Sequence, residues 1–136
     1  KKIRIRNKIA KLYADFFKNY KGISFQEIEK GNLSTFKDYS IIIDPDILGI
    51  DRDMVAIALE KENIITKKYF YPPVHLQKAY SSYNNTGLDA TEKLSSRVLS
   101  LPIYCSLTDK TIEKICMALE KVFDNKNKIK ERFENG

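Results

Sequence analysis

The chain has 136 residues, 43% hydrophobic and 31% charged, which is enough apolar material for one globular core and too much for an intrinsically disordered segment. Its 24 Lys and Arg against 18 Asp and Glu give a formal charge of +6, but the lysines are scattered and no nucleic-acid motif accompanies them, so the charge reads as a solvated surface with at most a mild attraction for a diphosphate-bearing substrate. The longest apolar runs, such as Ile41-Ile42-Ile43, fall far short of a membrane span, and no apolar run follows the basic residues at 1–6, so the sequence predicts no membrane segment, no signal peptide and a cytoplasmic protein.

In chain order, Ile5, Ile9, Leu12, Tyr13, Phe16 and Tyr20 recur at helical spacing and predict a helix over 2–19, with Gly22 following its end. Residues 23–34 are weakly patterned and read as a loop with at most a short strand. Tyr39 to Asp44 is β-rich and stops at Pro45, a strand. A connection containing Gly49 leads to Asp51, a helix N-cap, with Asp53 in the first turn. Met54, Val55, Ala58 and Leu59 then form the apolar stripe of a helix over 52–62, which Asn63 ends. Ile64 to Tyr71 is rich in β-branched and aromatic residues and reads as a second strand, with Lys68 and Phe70 on one face and Tyr69 and Tyr71 on the other. Pro72 and Pro73 cannot donate to a ladder and end it.

Residues 76–88 are Ser, Tyr, Asn and Gly rich, and are expected to be a mobile loop. Asp89 and Glu92 have capping-box spacing ahead of a short helix over 90–97. Val98 to Tyr104 reads as a third strand, with Pro102 suited to an edge or bulge. Thr108 caps a last helix whose apolar face is Ile112, Ile115, Cys116, Leu119, Val122 and Phe123. Residues 124–136 are polar and read as a frayed extension. Three strands separated by helices leave a parallel or an antiparallel sheet open.

Two stretches carry a family resemblance. One is Tyr69-Phe70-Tyr71-Pro72-Pro73-Val74-His75-Leu76-Gln77-Lys78-Ala79-Tyr80. The other is Arg97-Val98-Leu99-Ser100-Leu101-Pro102-Ile103-Tyr104-Cys105, running on to Asp109. With Asp51-Arg52-Asp53, Ile57-Ala58-Leu59 and Asn63-Ile64 ahead of them, and the helix from Lys2 to Tyr20, they resemble the C-terminal small domain of the DegT/DnrJ/EryC1/StrS family. Those proteins are pyridoxal-phosphate-dependent aminotransferases acting on nucleotide-linked keto sugars. The resemblance covers about residues 2–123.

It implies an α+β fold: a three-stranded antiparallel sheet with helices packed on one face, over residues 1–123, followed by a polar extension at 124–136. In that family the cofactor lysine, and the residues holding the phosphate and pyridine nitrogen, lie in a large domain ahead of this region. The chain is therefore expected to be one part of an aminotransferase and not to be catalytic alone. Pyridoxal phosphate is expected in the full-length parent and not on this chain. The implied partners are the large domain, a second subunit in a homodimer, and a nucleotide-sugar substrate, with glutamate the usual amino donor. No nucleic acid and no membrane is expected as a partner.

His75, the single histidine, is the sharpest site candidate, because a neutral imidazole can donate to or accept from a sugar hydroxyl or a phosphate. A histidine that merely caps a loop is the bland alternative. The resemblance favours the active-site rim. Tyr69 and Tyr71 offer rings for stacking and hydroxyls for hydrogen bonds, with ordinary sheet packing as the alternative. Lys68 completes the set of substrate-binding candidates. No residue is assigned a catalytic, cofactor-binding or metal-binding role. Arg97 reads as a surface ion pair before a phosphate ligand, and Asp51, Arg52 and Asp53 as helix-start chemistry. Cys116 reads as core. Cys105 would need His75 beside it to act as a nucleophile. A free-standing, non-catalytic module for a sugar nucleotide or a protein partner is the alternative function.

Overall fold

The apolar face of helix α1 (Lys2–Phe17) buries Ile9, Ala10, Tyr13 and Phe17, and it organises one side of the molecule in this computed structural model, which describes residues 1–83 and 87–135. Tyr13 stacks on Tyr39 at 5.1 Å between ring centres, and its hydroxyl donates to Pro102 O at 2.9 Å. Tyr39 belongs to β2 (Tyr39–Ile43), the centre of a three-stranded antiparallel sheet ordered β1 (Ile23–Phe25), β2, β3 (Val98–Leu101). Ile23 pairs with Ile43, and Ser40 with Ser100. Strand alternation puts Tyr39, Ile41, Ile43, Leu99 and Leu101 in the core. The hydroxyls of Ser40 and Ser100 meet on the other face, 2.6 Å apart.

A short helix, α2 (Pro45–Leu48), follows β2. Helix α3 (Arg52–Lys61) starts where Asp51 accepts from Met54 N at 2.8 Å, the cap read from sequence. After α4 (Asp89–Arg97) and β3, Thr108 caps α5 (Asp109–Asp124), which buries Ile112, Ile115, Leu119, Val122 and Phe123 against α1 and α3. The result is the α+β arrangement that the resemblance implies, with helices over the buried face of the sheet. Among the described residues no helix is long and apolar enough to cross a membrane.

Four expectations change. Residues 64–71 are not a strand: Lys67 alone bridges to Ser100, with N–O distances of 3.0 and 2.8 Å, and the chain then turns so that Tyr71 N donates to Lys68 O. The rings that raise β-propensity there pack on each other and on cations, and two prolines stop any ladder from continuing. The third strand is instead Ile23–Phe25, too short to show a period of two. Glu92 does not close a capping box, since α4 begins after Leu88 without a side-chain cap and the carboxylate is engaged elsewhere. The expected frayed tail forms α6 (Lys126–Glu134), anchored by Ile129 on the core and by Lys126 Nζ donating to Leu48 O at 2.8 Å.

The expected loop at 76–88 follows a 3₁₀ turn at Val74–Leu76 and contains another at Lys78–Tyr83, and residues 84–86 of it lie outside the described residues.

Candidate functional site

Between the turn at Lys68–Tyr71 and helix α4 lies an open apolar groove of about 600 Å³. Tyr69, Phe70, Val74 and His75 form one wall, and Leu94 and Val98 form part of the other. The sequence builds it from opposite tendencies. Pro72 and Pro73, which cannot donate to a ladder, keep the first wall out of the sheet, while α4 presents Leu94 across from it.

His75 Nε2 lies 3.1 Å from Glu92 Oε1, so an ion pair or hydrogen bond crosses the groove between its walls. When the neutral ring donates from Nε2 to the carboxylate, Nδ1 is the acceptor nitrogen. Tyr69 packs its ring on Phe70 at 5.4 Å and under Lys67 Nζ at 5.5 Å.

Tyr69 and His75, two of the four predicted residues, therefore share one groove. Lys68 and Tyr71 do not line it. Both are drawn to the start of α3, where Lys68 pairs with Asp53 and the Tyr71 ring lies 4.6 Å from the Arg52 guanidinium. Arg52 is 2% exposed. Its Nη1 donates to Ser95 O at 3.1 Å and Val98 O at 3.3 Å, and its Nε faces Asp53 Oδ1 at 2.9 Å. Sequence reasoning gave Arg52 no weight beyond helix initiation. A signal was available: Arg52, Val55, Ala56 and Leu59 share one face of α3, so a cation heads an apolar stripe.

Burial pushes the Asp53 carboxyl up, but Lys68 and Arg52 outweigh it and hold the group below its ordinary value. A depressed carboxylate pKa adds stability above the unfolded value and loses it as pH falls through the folded one. Asp53→Asn is therefore expected to be less stable than the parent at pH 6, with the gap closing below about pH 4. Urea midpoints at several pH values check this; a gap that stays constant to pH 2 would show that Asp53 does not titrate with folding.

The other candidates resolve simply. Arg97 pairs with Asp44 at 2.8 Å and Asp46 at 3.4 Å, a brace between α4 and α2. Cys105 Sγ donates weakly to Lys2 O at 3.8 Å, away from the His75–Glu92 pair, so the two do not form a nucleophile and base. Cys116 is half-buried on α5, and burial, helped by Glu113 and Glu120, pushes its thiol up to about 11. Such a thiol stays protonated and inert. Among the described residues no three His, Cys, Asp or Glu side chains gather to hold a metal ion.

Pyridoxal phosphate needs an enclosed lysine and donors for its phosphate. Among the described residues no lysine is buried, and neither Lys nor Arg lines the Tyr69–His75 groove. Lys126 and Lys130, the half-buried lysines, lie on α6, and Lys126 is spent on Leu48 O. The described residues of this chain do not fit the cofactor.

The profile of the DegT/DnrJ/EryC1/StrS aminotransferase family matches residues 1–120. A dTDP-4-amino-4,6-dideoxy-D-glucose transaminase of Escherichia coli is 33% identical over 120 residues, which is 84% of this chain and 31% of that protein. A GDP-perosamine synthase of Vibrio cholerae is 27% identical over 125 residues, 90% of this chain and 33% of that one. Among solved structures, DesI in the presence of its TDP-sugar product superposes with a TM-score of 0.89 at 25% identity, covering 98% of this chain and 34% of that one. A DegT/DnrJ/EryC1/StrS aminotransferase from Brucella abortus gives 0.76 at 31% identity, over 90% and 31%. The chain thus spans about a third of the length of these relatives.

Proposed function

The chain belongs to the DegT/DnrJ/EryC1/StrS aminotransferase family, and from that we propose that it is the C-terminal small domain of an enzyme that transfers an amino group, with glutamate as donor, to a keto sugar carried on a nucleoside diphosphate. The observation that carries this reading is the superposition of nearly the whole chain on about a third of DesI, whose structure was determined with a TDP-sugar product. Residues 1–123 are assigned to the small domain and 124–136 to an extension that contributes α6. The pyridoxal phosphate cofactor is assigned to residues beyond this chain, because these do not fit it, and the chain alone is assigned no catalysis.

The groove supplies what a sugar nucleotide needs from one wall of a cleft. Tyr69 and Phe70 offer ring faces for stacking. His75, its Nε2 engaged by Glu92, offers Nδ1 as acceptor for a hydroxyl. Tyr71 and Lys68 act from behind the wall by fixing the turn to α3. Holding a substrate in reactive orientation removes up to about 7–11 kcal/mol of barrier in favourable cases, so a wall without catalytic groups still matters to rate. The apolar residues left exposed around it, among them Phe70, Val74, Tyr80 and Tyr83, suit cover by a large domain and by the second subunit of a homodimer.

The test is kinetic, on the native gene product. It is expected to be about three times this length and to aminate a nucleotide-linked keto sugar with glutamate. His75→Ala and Tyr69→Ala are each expected to raise the KM for the sugar nucleotide about tenfold, the equivalent of one hydrogen bond or ring contact, with the KM for glutamate unchanged. A native product without transaminase activity that binds a sugar nucleotide would replace this reading with the free-standing module. Unchanged KM values in both variants would remove His75 and Tyr69 from the site.

A further inference from the structure

We propose that Arg52 is a positioning residue that sets the distance between the two walls of the Tyr69–His75 groove, an inference that takes its functional meaning from the reading of that groove as a substrate wall. One wall is carried by the turn at Lys68–Tyr71 and the residues that follow it to His75; the other is carried by α4 with the first residue of β3. Arg52 stands beneath both. Its Nη1 donates to Ser95 O and Val98 O at the end of α4, and the Tyr71 ring from the opposite wall lies 4.6 Å from its guanidinium carbon. Its Nε faces Asp53, which also pairs with Lys68 of that wall. One side chain thereby ties α3, the α4–β3 junction and the turn together.

Stability alone does not call for a cation at this point. Arg52 shares its helix face with Val55, Ala56 and Leu59, where an apolar residue would be buried without losing the hydration of a charge. What the guanidinium adds is shape: a rigid plane with donors at its edge and a face for an aromatic ring. Ser95 O is among the carbonyls left without a helical partner at the C-terminus of α4, where the local field favours a cation, and Val98 O belongs to the first residue of β3. Lysine, a point charge without a plane, can meet one of these partners but not all. The second tie between the two segments, His75 to Glu92 at 3.1 Å, uses a carboxylate far more exposed than the Arg52 guanidinium.

Residue-resolved amide hydrogen exchange in the intact protein tests this without reference to any ligand. The Tyr71 amide, bonded to Lys68 O at 3.1 Å, reports the turn; amides of Ile41 and Leu99 report the core. Arg52→Lys is expected to speed exchange at Tyr71 more than tenfold while Ile41 and Leu99 stay within about threefold. Tyr71→Leu keeps the buried arginine and its carbonyl contacts and removes the ring. It is expected to leave core exchange unchanged and to speed exchange at the Leu76 and Gln77 amides, bonded to Pro73 O and Val74 O in the same segment. Protection at the turn that survives Arg52→Lys, or core exchange that accelerates by the same factor, would overturn the proposal, as would a wall unaffected by Tyr71→Leu. In the transaminase assay Arg52→Lys is expected to raise the KM for the sugar nucleotide and spare that for glutamate. An absence of transaminase activity in the parent would instead defeat the proposed function and leave the exchange result standing.

Discussion

Leu59→Ala and Leu119→Ala are each expected to cost about 2.7–5 kcal/mol of folding stability, the range for emptying a fully buried leucine site. Both side chains are completely buried where α3 packs on α5, and that contact ties the helix bearing Arg52 to the rest of the core. Helix backbones hemmed in by a sheet cannot collapse far into the space left behind, so a cavity term adds to the lost transfer energy. For a domain of this size the loss is a large fraction of the total, roughly 5–15 kcal/mol. Urea unfolding of the two variants checks it, with Leu59→Met, a swap of similar volume, expected to lose less than about 1.5 kcal/mol. A loss under 1 kcal/mol for both alanine variants would mean that the α3–α5 contact is not the packed centre described here.

Gly22→Ala is expected to be nearly as costly, at about 2–5 kcal/mol, although it adds a single methyl group at a half-exposed position. Gly22 has φ of +86°, and a Cβ built there would stand 2.7 Å from the backbone nitrogen of Leu48 and 3.1 Å from the Cβ atoms of Ile47 and Leu48. The left-handed backbone costs a residue with a side chain about 1–2 kcal/mol, and crowding against backbone adds about 1–3 kcal/mol. The two contributions can be separated. Gly31 has φ of +93° with open space around it, so Gly31→Ala carries the backbone term alone, about 1–2 kcal/mol. Equal losses at the two positions, measured by urea midpoint, would show that α2 moves aside and that the close approach at Gly22 is not required.

Much of the helical structure is legible in the chain. The stripes on α1 and α5 repeat at the helical period over four turns, and the shorter one on α3 follows an N-cap that marks its start, so the burial signal exceeds local noise. Asp51 and Thr108 mark helix starts because a side-chain oxygen one residue ahead of a helix satisfies an orphan amide through local geometry alone. The 64–71 segment misled, while Ile23–Phe25 lies in a stretch read as a loop with at most a short strand, and one reason covers both. Whether a short run pairs as a strand depends on which neighbour presents a free edge, and that is a property of the assembled sheet. Ile23–Phe25 finds the edge of β2, while Lys67 finds β3 for a single bridge before the prolines carry the chain away.

The candidate site divides along the same line. One of the two stretches that carry the family resemblance holds the single histidine after two prolines and the aromatic run before them, so their joint presence is visible without any fold. Glu92 and His75 are 17 residues apart and Arg52 and Ser95 are 43 apart. At such separations spacing along the chain says nothing about contact. The sequence by itself determined the family, the helical core and the chemistry available near Tyr69 and His75, because each rests on local pattern or contiguous motif. Only the tertiary structure decided that Tyr69 and His75 share a groove while Lys68 and Tyr71 stand behind it. It also decided that a buried arginine lies beneath both walls, because that arrangement depends on packing α3, α4 and β3 around a cation whose partners are backbone carbonyls, acceptors that every residue carries and that no sequence pattern distinguishes.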